Sequence, residues 1–150
     1  MYKFLLLFFV SFVSAQQTCK LSFSNTPLSE NGEIMFTVKN LNNEKIHVPK
    51  RYSGIWARPI DIQVYSDEKR EFQDTKYSFD GAGCLDTKKC LGQMECLKNG
   101  ESKEYKVIIL PGRISKAFRE KKKYRFKLAF ETYLFSGCAD YKTDWLYYQN

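Results

Sequence analysis

The stretch Lys123-Tyr124-Arg125-Phe126-Lys127-Leu128-Ala129-Phe130 decides the fold class. Tyr124, Phe126, Leu128 and Phe130 recur with period two, and Lys123, Arg125 and Lys127 fill the positions between them. Successive side chains of an extended chain point to opposite faces. The octet therefore reads as a half-buried strand, aromatic and aliphatic toward a core and cationic on the other side.

The same spacing recurs outward from this stretch. Leu21 and Phe23 share a face, as do Ile34, Phe36 and Val38, then Ile60, Ile62 and Val64, then Tyr105, Val107 and Ile109. The run Trp145-Leu146-Tyr147-Tyr148 closes the chain as a last strand with at least half of its rings expected in the core, the alternative being a binding platform for sugars or a partner. The pattern of 69–79 leaves open whether it is a strand. Turn chemistry separates the runs at 27–32, 40–45, Asn99-Gly100 and Pro111-Gly112. Only 113–122, where Ile114, Ala117 and Phe118 share a helical face, suggests one or two turns of helix. About seven strands in a single domain over 16–150 predict an all-β, two-layer antiparallel β-sandwich, with a barrel as the alternative.

The order Val38-Lys39-Asn40, turn, Ile46-His47-Val48-Pro49, then Asp61-Ile62-Gln63-Val64, then Leu97-Lys98-Asn99-Gly100-Glu101-Ser102 resembles small secreted immunoglobulin-like sandwiches of bacteria. The Leu-x-x-Gly-Glu-Ser turn at 97–102 is also weakly similar to the intracellular proteinase inhibitor family of bacilli. The resemblance implies an Ig-like sandwich and brings inhibition into view as a function. It transfers no inhibitory residue, and the Cys-rich segment 84–96 departs from its pattern.

Residues 1–15 read as a signal peptide: Lys3 at the start, the apolar run 4–13, and Val13-Ser14-Ala15 as the exit. The apolar run is too short to span a bilayer as helix, and no later stretch is long and apolar enough to do so. The expected product begins at Gln16 and is exported, to the periplasm or beyond the cell. Removal of the leader takes one Lys and five aromatics, lowering the formal charge from +7 to +6 and leaving 19 of 24 aromatics to the fold.

The five cysteines, Cys19, Cys84, Cys90, Cys96 and Cys138, all lie past the leader. In an exported chain they read as disulfides, with at least one thiol left over. Cys84 and Cys138 each follow a glycine in loop-like sequence, so Cys138 is expected to pair with Cys84 or Cys90. No metal site is expected, because Cys84, Cys90 and Cys96 are spaced six apart and the single His47 excludes a His-rich centre. No cofactor is expected either. The chain has no Gly-x-Ser-x-Gly elbow, no phosphate-cradling glycine loop and no Cys-x-x-Cys pair, and His47 has no local partner in sequence. His47 is expected as an ordinary half-buried strand residue and the protein as a non-enzyme.

Charge supplies the candidate binding site. Lys121, Lys123, Arg125 and Lys127 form a basic stripe, and three of them share one strand face at intervals of about 6–7 Å. The fields of such cations add over a linear anion. The same charges equally serve solubility and protect a sheet edge. The expected partner is an anionic envelope component (acidic polysaccharide or lipid head groups) or an acidic protein surface. Nucleic acid is not expected, since export takes the protein away from it. Two classes of function follow: an exported binding module, or a secreted inhibitor or immunity-type protein acting on an enzyme. Expressed with its own leader, the protein should appear outside the cytoplasm with Gln16 as its first residue. N-terminal sequencing that finds Met1 on exported protein would contradict this.

Overall fold

The computed structural model describes residues 19–76, 86–109 and 120–149. The leader 1–15, Cys84 and most of the 113–122 stretch lie outside them. Among the described residues ten strands, all paired antiparallel, make three sheets. The first holds β1 (Leu21–Asn25), β2 (Glu33–Asn40) and β7 (Ser102–Ile108), with β2 central. The second runs β10 (Leu146–Gln149), β8 (Lys123–Phe130), β4 (Ala57–Ser66), β5 (Glu71–Asp74), and β9 (Tyr141–Lys142) also pairs with β8. A ribbon of β3 (Ile46–Pro49) and β6 (Met94–Leu97) stands apart. Among the described residues, helix is confined to a 3-10 turn, Gly54–Trp56, and to α1 (Thr87–Leu91) and α2 (Tyr133–Ser136). None of the described helices is long and apolar enough to cross a membrane.

The two larger sheets meet through aromatic side chains. Phe36 of β2 and Phe130 of β8 are both 0% exposed and stack with ring centroids 4.2 Å apart. Tyr52 meets Phe36 edge-on at 5.3 Å, and the rings of Phe23, Tyr105 and Tyr141 lie 6.1, 6.2 and 5.9 Å from it. Pairs of this kind contribute about 0.5–1.5 kcal/mol each beyond the area they bury. Ile34, Val38, Val107, Phe126 and Leu128 fill the space around them. The alternation expected for β2, β7 and β8 is realised residue by residue.

In β4 it is not. Ile60 pairs with Lys127 and Gln63 with Arg125, so both Asp61 and Ile62 oppose Phe126 alone. This is a β-bulge, and Asp61 carries it at a φ of 53°. Ile60 and Ile62 therefore do not share a face: Ile62 is buried, whereas Ile60 points to the outer side with Lys127.

Asn40, 0% exposed at the end of β2, ties three segments together. Its Nδ2 donates to the carbonyls of Glu44 and Leu97 at 2.9 Å each, and its Oδ1 accepts from the Asn42 N–H at 2.8 Å. The Asn99-Gly100 turn follows, with Gly100 at a φ of 78° as the pair predicts.

The expected disulfide is corrected. Cys138 bonds Cys19, not Cys84 or Cys90. The chain leaves α2 through Gly137 in the left-handed region and turns back beside the residue that precedes β1, leaving the two Cα atoms 5.4 Å apart. The bond joins residues 119 apart in sequence, a closure worth on the order of 4–5 kcal/mol in the chain-entropy account. Cys90 is also disulfide-bonded, and Cys96 is a free, exposed thiol.

Two core tyrosines tie the fold to pH. The Tyr52 hydroxyl donates to the carbonyls of Trp56 and Glu131 at 3.0 and 3.3 Å, and the Tyr105 hydroxyl to that of Pro49 at 2.7 Å. Burial pushes both phenols well above the ordinary tyrosine range, helped by Glu131 and Asp140 beside Tyr52 and by Glu95 beside Tyr105. A raised folded-state pKa means stability that is complete below the unfolded value of about 10 and is lost as pH climbs toward the folded one. Urea unfolding followed between about pH 9 and about pH 11 should show stability falling. Tyr52→Phe, although less stable at neutral pH, should show a shallower fall. An equal slope in wild type and Tyr52→Phe would contradict this.

Candidate functional site

The outer face of the second sheet is built by the same alternation that fills its inner face. Gln63 pairs with both Asp74 and Arg125, and Arg125 pairs with Tyr147. Asp74, Gln63, Arg125 and Tyr147 thus form one outward row across four strands. The next row holds the cross-strand pairs Phe72–Tyr65 and Lys123–Gln149. On the other side of Arg125 lies Lys127, and Trp145, just before β10, reaches over both.

Lys123, Arg125 and Lys127 point outward as their spacing predicts, yet the stripe is more than a row of charges. The Arg125 guanidinium lies 4.6 Å from the Phe72 ring and 4.5 Å from the Trp145 ring. The Lys127 ammonium is 4.7 Å from Trp145, and that of Lys123 is 6.0 Å from Tyr65. Edge-on contacts join Tyr65 to Phe72 at 5.3 Å and Phe72 to Tyr147 at 6.1 Å. Cation and ring alternate, each cation held by the negative face of a ring.

Polar contacts fix the centre. Arg125 donates its Nε–H to Gln63 Oε1 at 2.6 Å, and Gln63 Nε2 donates to Asp74 Oδ1 at 2.7 Å. The Nη groups of Arg125 have no acceptor among the described residues. Acid lies close to the stripe: Asp61 is 3.6 Å from the Lys127 ammonium, and Asp74 reaches Arg125 through Gln63. Lys121 and Lys123 have no carboxylate partner among the described residues. Lys122 is drawn into an ion pair with Glu120 at 2.5 Å, which holds its pKa above the ordinary lysine value.

Of the aromatic partners, Trp145 and Tyr147 lie in the run read from sequence as a core strand or a binding platform, whereas Tyr65 and Phe72 escaped the sequence reading. Gln63 and Tyr65 fall on the face of β4 opposite Val64, and Trp145 and Tyr147 on the side opposite Leu146. Fewer rings of the last run turn inward than expected: Tyr148 faces the core opposite Tyr124, beside the buried Leu146, whereas Trp145 lies against the outward cations and Tyr147 is 62% exposed on the outside.

Away from this face, His47 is exposed and not half-buried, and it pairs directly across the ribbon with Cys96. This partner was invisible in sequence because 49 residues separate the two. Among the described residues no group of three or more His, Cys, Asp or Glu is placed to hold a metal ion. Arg58 forms ion pairs with Glu131 at 2.8 Å and Asp140 at 3.4 Å, and Asp140 also accepts from the Thr132 N–H at 3.2 Å at the start of α2. Those contacts hold the β8–α2 corner.

The chain matches no family model, and neither the curated proteins nor the solved structures contain one significantly similar to it.

The stacking of Arg125 is measurable. A double-mutant cycle of Arg125→Met and Trp145→Leu, read by urea unfolding, should give a coupling of about 0.5–2 kcal/mol. Additivity within about 0.3 kcal/mol would show that the two side chains are neighbours without attraction.

Proposed function

We propose that this protein is an exported, non-enzymatic binding module of Ig-like sandwich architecture that holds an anionic partner on the outer face of the β10-β8-β4-β5 sheet. The stacking of Phe36 on Phe130 between the two larger sheets supports the two-layer reading. The disulfide Cys19–Cys138 suits an oxidising compartment.

The observation that carries the binding reading is the state of Arg125. Its guanidinium lies against the rings of Phe72 and Trp145, its Nε–H is committed to Gln63, and its Nη groups have no acceptor among the described residues. A guanidinium fixed in this way has already lost its rotamer freedom, so the entropy cost of meeting a carboxylate, sulfate or phosphate is small. The planar fork matches such groups with two parallel hydrogen bonds. Lys121 and Lys123 add unpaired positive charge beside it and steer an anion toward it, with a reach of about 8–10 Å at physiological salt.

The test separates geometry from charge. Arg125→Lys keeps the net charge but loses the fork. Its retention on a phosphocellulose column should fall about as far as that of the Lys123→Gln, Lys127→Gln pair, which loses two charges. Wild-type retention should drop steeply with salt. Circular dichroism of each variant should remain that of a strand-rich fold. Wild-type retention by Arg125→Lys would overturn the reading, and the face would then serve solubility alone.

A further inference from the structure

We infer that the anion held on this face is an acidic polysaccharide, bound with sugar rings against Trp145 and Tyr147 and an acidic group toward Arg125. The inference rests on the anion-binding reading above and names the chemistry of the partner.

Trp145 and Tyr147 belong to two surfaces at once. Trp145 carries Arg125 and Lys127, and Tyr147 touches Phe72. Both also line an open groove of about 430 Å³ between β10 and the end of β1, together with Ser24, Asn25, Leu28 and Asp144. That volume falls within the range of about 300–1,000 Å³ usual for small-ligand sites.

A pyranose ring has an apolar C–H face and a rim of hydroxyls, so it needs a flat ring and hydrogen-bonding groups around it. The groove supplies both. The Asp144 carboxylate has no ion-pair or hydrogen-bond partner among the described residues, and it can only accept. Hydroxyls donate to such a carboxylate, whereas a carboxylate or phosphate is repelled by it. The neutral rim of a sugar therefore belongs in the groove, and the acidic group belongs beyond Trp145, at the Arg125 Nη edge.

An acidic peptide fits this layout less well. Added to the free edge of β10 it would lie in the plane of the sheet and leave Arg125 uncovered, because Arg125 stands on the central strand β8. A chain that crosses Trp145 from the groove onto the face reaches both, and a linear glycan is not confined to the sheet plane.

The experiment measures binding of polygalacturonate, polyglutamate of matched charge and length, and phosphatidylglycerol vesicles to the full mature chain. Wild type should bind polygalacturonate at least tenfold more tightly than either alternative. Asp144→Asn is the decisive variant, because it removes a negative charge. Simple attraction of polyanions predicts tighter binding of all three probes, whereas the sugar reading predicts severalfold weaker binding of polygalacturonate alone. Tyr147→Ala, a change at an exposed side chain, should weaken polygalacturonate severalfold and leave polyglutamate within twofold. Equal or tighter binding of polyglutamate or vesicles overturns the inference, as does tighter polygalacturonate binding by Asp144→Asn. If Arg125→Lys still weakens polyglutamate while Tyr147→Ala changes nothing, the anion-binding reading stands and the glycan falls. If wild type binds none of the probes, both fall.

Discussion

The structure depends on one contact, the face-to-face stack of Phe36 on Phe130. Each ring sits on a strand with partners on both sides, β2 between β1 and β7, and β8 between β4 and both β9 and β10. Their contact therefore fixes the spacing of whole sheets and not merely of two side chains. Tyr52, Tyr105, Tyr141 and Phe23 close around the pair, and the two deepest phenols satisfy their hydroxyls on backbone carbonyls. A core made this way carries hydrogen-bonded hydroxyls among its rings. It also makes the chain sensitive to alkali.

The outer face repeats the inner arrangement with charge added. Inside, rings stack on rings; outside, rings alternate with guanidinium and ammonium groups, and the amide of Gln63 locks the central cation in place. The same period of two writes both faces, so the geometry of the core determines the spacing of the cations. A shift of β8 by one residue against β4 would drop Arg125 into the core and expose Phe126. Burial of the aromatic face thus enforces the register of the cationic one.

Much of this was legible in the chain. The strands with uninterrupted alternation, β2, β7 and β8, announced both their existence and their inward residues, because a half-buried strand leaves no other pattern. The aromatic half of the outer face was less legible. Phe72 stands on a short edge strand whose periodicity is too brief to read, and its proximity to Arg125 is a product of strand order. The disulfide was misread for a related reason. Loop sequence around a cysteine shows that the backbone can bend, but not which distant thiol the sheets bring near. His47 and Cys96 became neighbours through a ribbon of two four-residue strands, each too short to declare itself. Ile60 was misplaced because a single residue in an unusual backbone conformation, Asp61, interrupts an otherwise regular alternation.

That residue sets where the chain can change length. Upstream of it, Ala57 and Pro59 face the core; downstream, Ile62 and Val64 do. Asp61 is the spacer that lets both halves keep their orientation across a break in phase. A chain one residue shorter here would lose the bulge and run in regular alternation, with Ala57, Pro59, Ile62 and Val64 still facing the core. The upstream half is held by the Arg58 ion pairs and the backbone link from Glu131 to Trp56, and the downstream half by Gln63 and its two partners. A chain that keeps this fold can therefore lose one residue between Trp56 and Gln63 without turning either half over. The exposed turn at 67–70 carries no such anchor, and insertions there can be absorbed.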